Sequence, residues 1–188
     1  TYKLLSEYER KPLLDKALSG LFPPGSTFKM TTALAILAAG INPKERVTCT
    51  GGYHFGGRTF RCWRAGGHGS MDMHNALKNS CDTYFYAMSN RATVDRIASA
   101  ARSLGFQSTF SERDFGNQKK GLVPDTAWKR KTFARDPEWH AGETLSVAIG
   151  QGALQVNALQ LAVMAARIAN GRKAVQPRLV RSIGGKAE

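Results

Sequence analysis

Leu21-Phe22-Pro23-Pro24-Gly25-Ser26-Thr27-Phe28-Lys29-Met30-Thr31-Thr32-Ala33-Leu34-Ala35-Ile36-Leu37-Ala38-Ala39-Gly40 is the stretch on which the reading of this chain turns. Pro23-Pro24-Gly25 is a rigid stop. Ser26 is a favourable first residue for a helix and Gly40 a favourable terminator. The Ala and Leu filling between them is strongly helical. An apolar run so nearly continuous predicts a helix buried on most of its sides. Lys29 breaks the pattern, because a charge inside an apolar helix is costly unless something there needs it. At i and i+3, Ser26 and Lys29 share a face, one turn apart. A serine is a poor nucleophile until a neighbouring base takes its proton, and a buried lysine can be that base. The helix N-terminus adds N–H groups and partial positive charge that favour a developing anion. Ser-x-x-Lys alone is common, and its bland explanation is a capping serine with a lysine reaching for solvent. The preceding Pro-Pro-Gly and the apolar surroundings single out this copy.

Upstream, the first twenty-odd residues mix charge and Leu and read as loop with one short helix. Downstream, Val47 to Gly69 is rich in Gly, Thr and aromatics, with a strand-like stretch from Arg58 to Trp63. Ser70 is expected to cap a helix running to about Lys78, broken by Asn79-Ser80-Cys81-Asp82. Helices follow from Thr83 to Arg91 and from Val94 to Leu104, the second stopped by Gly105. Residues 107 to 143 are polar, contain Pro124 and Pro137, and are expected to be loops. Ile149-Gly150-Gln151-Gly152 predicts a turn, before an apolar helix from about Asn157 to Ala169 closed by Asn170-Gly171. No repeat or low-complexity segment occurs.

The 188 residues fit one domain or a large part of one, and a hydrophobic share of 42% supports a core. Mean hydropathy is −0.33. No run reaches the roughly 18 apolar residues of a membrane span, since Met30 to Ile41 is interrupted by Thr31 and Thr32. The opening Thr1-Tyr2-Lys3-Leu4 lacks a signal-peptide pattern, so any membrane anchor is expected outside this sequence. Lys and Arg number 27 against 14 Asp and Glu, a net charge of +13. Such a balance raises the question of a polyanionic partner. The basic residues are scattered, however, clustering only at Lys119-Lys120 and Lys129-Arg130-Lys131. Aromatic and basic interleaving is absent, as is a recognition-helix signature, so no nucleic-acid partner is expected.

Leu21 to Lys29 closely resembles the active-serine segment of the class B penicillin-binding proteins. Gly67-His68-Gly69 with Asn79-Ser80-Cys81-Asp82-Thr83-Tyr84-Phe85-Tyr86 resembles their second motif region. Ile149 to Gly152, Leu159-Gln160-Leu161-Ala162 and Ala169-Asn170-Gly171 resemble the segment leading to their third. Ser-x-Asp in place of Ser-x-Asn at Ser80 and Asp82 is similar to the elongation subgroup. The resemblance implies an α+β fold of the serine β-lactamase/penicillin-binding transpeptidase type. Here it would be mainly the helical part, with much of the central antiparallel sheet missing. It implies a peptidoglycan D,D-transpeptidase with Ser26 as nucleophile, Lys29 as base, Ser80 as proton relay and Asp82 holding Lys29 and substrate. No cofactor is implied for catalysis. Implied partners are stem peptides, the lipid-linked precursor, β-lactam antibiotics and a membrane glycosyltransferase of the elongation complex. The implied location is the periplasmic side of an inner membrane, with a single N-terminal anchor.

The family's third motif, Lys-Thr-Gly or Lys-Ser-Gly, does not occur in the sequence. Residues 1–188 are therefore expected to be a partial transpeptidase domain ending before it, inactive or very slow alone. A β-lactamase or β-lactam sensor shares Ser-x-x-Lys and is the nearest rival reading, and a non-catalytic basic binding module is the rival of another class. The cysteines pose a separate question. Cys49, Cys62 and Cys81 are an odd set, and with His68 they supply four soft or borderline ligands, enough for one closed tetrahedral structural zinc site. Their spacings are looser than a zinc finger's. A Cys49–Cys62 disulfide with a buried free Cys81, or three unlinked thiols, fits the sequence as well.

Overall fold

The computed structural model describes residues 1–171 and 173–187. Helix α1 (Tyr2–Glu7) precedes a long irregular approach to a 3-10 turn (Gly25–Phe28), which runs directly into α2 (Lys29–Ala38). Four short strands follow: β1 (Val47–Cys49), β2 (Gly52–Phe55), β3 (Arg58–Arg61) and β4 (Gly69–Met71). Six helices follow, separated by irregular segments: α3 (Met73–Lys78), α4 (Asp82–Ala92), α5 (Val94–Ser103), α6 (Thr126–Thr132), α7 (Ala141–Ala148) and α8 (Ala158–Asn170). A last hairpin joins β5 (Ser182–Ile183) to β6 (Lys186–Ala187). Among the described residues the strands form three separate antiparallel pairs, β1 with β4, β2 with β3 and β5 with β6. This is the helical part of an α+β fold with small sheets, as the resemblance implied.

Helix α2 is the partition of the core. Ala33 and Ile36 face a cluster with Tyr84, Phe85 and Met88 of α4. Ala35, with Phe28 of the 3-10 turn, faces a second cluster with Ile97, Ala98 and Ala101 of α5 and with Phe106. On α5 the buried Val94, Ile97, Ala98 and Ala101 recur at helical spacing, so its apolar stripe is pressed onto α2. As expected, α2 is buried on most of its sides, through Lys29, Thr31, Thr32, Ala33, Ala35 and Ile36, and open on one. Met30, Leu34 and Leu37 are 38%, 40% and 43% exposed, and their spacing puts them on one open face.

Two element boundaries differ from expectation. Ser70 does not cap α3. It pairs with Thr48 in the β1–β4 ladder, and Asp72 is the cap, accepting the Asn75 N–H at 2.9 Å. The polar stretch 107–143 contains α6 and the start of α7. Asp125 caps α6 through the Trp128 N–H at 2.7 Å. A reciprocal capping box between His140 and Glu143 opens α7.

The turn at 149–152 is where expected, and it buttresses the segment that carries Ser26. Gly25 N–H donates to Gly150 O at 2.9 Å. Gly150 has φ +78°, and a Cβ there would lie 2.1 Å from Gly25 O. Gly150→Ala is therefore expected to cost about 2–4 kcal/mol, from the left-handed backbone plus the forced shift of the Gly25 carbonyl. Urea unfolding measures this, and a loss below about 0.5 kcal/mol would show that the contact yields freely.

Candidate active site

Ser26 lies in the 3-10 turn rather than at the cap of an α-helix, since α2 begins at Lys29. Its side chain borders a cavity of about 530 Å³ lined also by Arg61, Trp63, Ser80, Asp82 and Gln151. Beneath it Lys29 is 2% exposed. The Lys29 Nζ meets Ser26 Oγ at 3.1 Å, Ser80 Oγ at 2.8 Å, Ser80 O at 2.9 Å and Asp82 Oδ1 at 2.6 Å. Ser80 Oγ in turn donates to Ser26 Oγ at 3.0 Å. An ammonium has three protons for these four oxygens, while a neutral amine has two protons and a lone pair. The site can therefore hold the amine in either state, and in the neutral state the lone pair can face the Ser26 hydroxyl. The four residues singled out from the sequence thus share one hydrogen-bonded cluster.

Ser80 reaches that cluster through an unusual turn. Its backbone has φ +50°, in the left-handed region. The N–H of Ser80 bonds Leu77 O at 3.2 Å and that of Cys81 bonds Ala76 O at 2.9 Å. These are the paired bonds that end a helix at the position normally given to glycine. A serine there costs roughly 1 kcal/mol of backbone strain, and the result is that its Oγ and carbonyl both face Lys29. Asp82 is the first residue of α4, where the helix dipole favours a carboxylate. Its Oδ1 accepts from Lys29 and its Oδ2 from the Trp63 N–H at 3.1 Å.

Residues 3–188 match the penicillin binding protein transpeptidase domain. The chain belongs to this transpeptidase family. It is 37% identical to the peptidoglycan D,D-transpeptidase MrdA of Acinetobacter baumannii over 98% of its own length. It is 30% identical to the D,D-transpeptidase PbpA of Mycobacterium tuberculosis, again over 98%. It superposes on penicillin-binding protein 2 of Pseudomonas aeruginosa, solved with WCK 5153, with TM-score 0.92 at 36% identity, covering all of this chain and 41% of that one. Helicobacter pylori penicillin-binding protein 2, solved with MreC, gives TM-score 0.83 at 30% identity, covering 90% and 32%. The chain spans about 25–28% of the length of the MrdA relatives.

Beside the serine cluster of this transpeptidase domain lies a second constellation. Cys49, Cys62, His68 and Cys81 place their ligand atoms within 4.8 Å of one another. The three cysteines are buried and free. His68 Nδ1 is 3.5 Å from both Cys49 Sγ and Cys62 Sγ. Tetrahedral zinc with thiolates at about 2.3 Å would set its ligand atoms roughly 3.7 Å apart, so the residues present fit a Cys₃His zinc site. Gly67 makes the approach possible, because with φ +74° a Cβ there would sit 2.1 Å from Cys49 O. Burial pushes the Cys81 thiol up to about 12. Burial also opposes ionisation of Cys49, but hydrogen bonds from Thr83, Gly51 and His68 outweigh it and bring that thiol down to about 6.

Trp63 was not singled out from the sequence, although it enters the site twice, through its backbone and its indole. Its only signal there was adjacency to Cys62 at the end of a strand. Among the described residues no helix is long and apolar enough to cross a membrane.

Proposed function

We propose that this chain is the part of a peptidoglycan D,D-transpeptidase that carries the nucleophile, base and proton relay. The observation that carries the reading is the Lys29 amine held between the hydroxyls of Ser26 and Ser80, at 3.1 and 2.8 Å. In the proposed reaction the Ser26 hydroxyl oxygen attacks the carbonyl carbon of the D-Ala–D-Ala bond as Lys29 takes its proton. The proton passes through Ser80 to the departing nitrogen, D-Ala leaves, and an ester to Ser26 remains. An acceptor amine from a neighbouring stem peptide then displaces Ser26, forming the cross-link and returning the proton to the cluster. A β-lactam opens on Ser26 in the first half of this scheme. Asp82, the one carboxylate among the described residues that line the cavity, is engaged by Lys29 and Trp63, which favours a long-lived acyl-enzyme over a β-lactamase's rapid hydrolysis.

Residues 1–188 would be a partial domain that works with a Lys-Thr/Ser-Gly strand supplied elsewhere. The full protein would sit on the periplasmic side of an inner membrane, anchored by one N-terminal helix. Its role would be lateral wall synthesis and cell shape. The MreC complex of the Helicobacter pylori relative, and a similar peptidoglycan synthase complex that coordinates polymerization and crosslinking, support partners of the elongation type, of which we propose a membrane glycosyltransferase as one. Tryptic mapping tests the chemistry. Incubating the full protein with a stem pentapeptide should release D-Ala and leave the acyl mass on the peptide Ala17–Lys29, localised to Ser26. Release of D-Ala with the adduct elsewhere would overturn the assignment.

The second part of the proposal is a structural zinc bound by Cys49, Cys62, His68 and Cys81. It would cross-link β1, the end of β3, the approach to β4 and the start of α4, tying the second motif to the strands. Purified protein should then carry about one equivalent of zinc, with chelation lowering the melting temperature and slowing acylation, because Cys81 lies between Ser80 and Asp82. Metal analysis and thermal melts check this. Metal-free, fully active protein with a Cys49–Cys62 disulfide would end it.

A further inference from the structure

Trp63 is 66% exposed, so burial explains little of its presence. Its hydrogen bonds are more informative. The indole Nε1–H is shared between Asn79 O and Ser80 O, each at 3.1 Å. The backbone N–H of the same residue donates to Asp82 Oδ2 at 3.1 Å. Ser80 O and the Asp82 carboxylate are also acceptors for Lys29, at 2.9 and 2.6 Å. Trp63 thus grips, from the solvent side, two of the groups that Lys29 holds from within. The turn it grips is the left-handed one at Ser80, φ +50°, which is strained and would relax if released. Trp63 itself is well mounted. Cys62 before it is buried, and the indole meets the His68 ring edge-on, with centroids 5.1 Å apart at 64°.

We propose that Trp63 is a positioning residue for acyl transfer: its indole N–H clamps the Ser80 turn so that the Ser80 hydroxyl and carbonyl stay on the Lys29 amine. The inference rests on the transpeptidase reading above. The residue touches no reacting atom in this role. It acts by keeping the relay within hydrogen-bond range, where small displacements are expensive in rate. Trp63 also walls the cavity beside Ser26, so loss of the wall and loss of the clamp must be separated.

Replacing Trp63 by benzothienylalanine does this, since sulfur takes the place of N–H and the bicyclic wall remains. Trp63→Phe, which also lacks the donor, is the simpler companion. In the full protein both are expected to lower the first-order acylation constant for a fluorescent penicillin about tenfold, the kinetic equivalent of one hydrogen bond. In the benzothienyl variant the dissociation constant of the preceding non-covalent complex and the melting temperature should stay at wild-type values. An unchanged acylation constant there overturns the clamp. So does a loss that appears in the dissociation constant, or one matched by a fall in melting temperature. A wild-type protein that takes no label at all removes the enzyme reading instead, and the inference with it.

Discussion

Ser26→Ala in the full protein abolishes covalent labelling by a fluorescent penicillin and leaves the melting temperature almost unchanged. The hydroxyl opens on the cavity and is in contact with two proton carriers, Lys29 at 3.1 Å and Ser80 at 3.0 Å. Its removal leaves Lys29 with Ser80 Oγ, Ser80 O and Asp82 Oδ1. Those three acceptors match the three protons of an ammonium. No buried donor is stranded, and the stability change should stay below about 1 kcal/mol. Gel fluorescence and a thermal melt on the same samples decide the matter. Labelling at full stoichiometry in the Ala variant would remove Ser26 from the mechanism, and a large fall in melting temperature would mean the hydroxyl holds the site together.

The second large effect separates catalysis from folding. Lys29→Met removes the proposed base and should slow acylation by about 10²–10⁴-fold. It should also destabilise the fold by about 3–5 kcal/mol, because Asp82 is left buried with its ionic partner gone. The Asp82 side chain is 11% exposed and that of Lys29 2%, so solvent screens the pair little. Adding Asp82→Asn to the Met variant removes the stranded charge while keeping an oxygen to accept from the Trp63 N–H. The double variant should regain most of the lost stability and none of the rate. Denaturant titrations and stopped-flow acylation measure the two quantities independently. Unchanged acylation in the single variant would disqualify Lys29 as the base. A double variant as unstable as the single would locate the penalty in lost Lys29 packing around Phe85 rather than in charge.

Much of this site was legible before any fold was known, because its components announce themselves locally. A stop, a serine and a lysine three residues later need only helical periodicity to be placed on one face. Ser80 and Asp82 came from a resemblance of motif, and their spacing alone would have read as an ordinary interhelical turn. The start of α7 escaped notice because its cap is a histidine, and the decisive Glu143 lies within a polar run. Trp63 escaped because its role depends on carbonyls 16 and 17 residues away.

The sequence by itself determined the helical filling of α2, the Ser26–Lys29 pairing within a single turn, the glycine turn at 149–152 and the presence of four side chains able to ligate a metal. These follow from forces that act over a few residues: backbone preference, capping and side-chain periodicity. Tertiary structure alone decided that Ser26 sits in a 3-10 turn braced by Gly150, and that Lys29 finds Asp82 53 residues along the chain. It also decided that Cys49, Cys62, His68 and Cys81 converge to within 4.8 Å. Such meetings are set by how α2 packs against α4 and where the short strands deliver their ends. They depend on burial and close approach between segments distant in sequence, which no local pattern encodes.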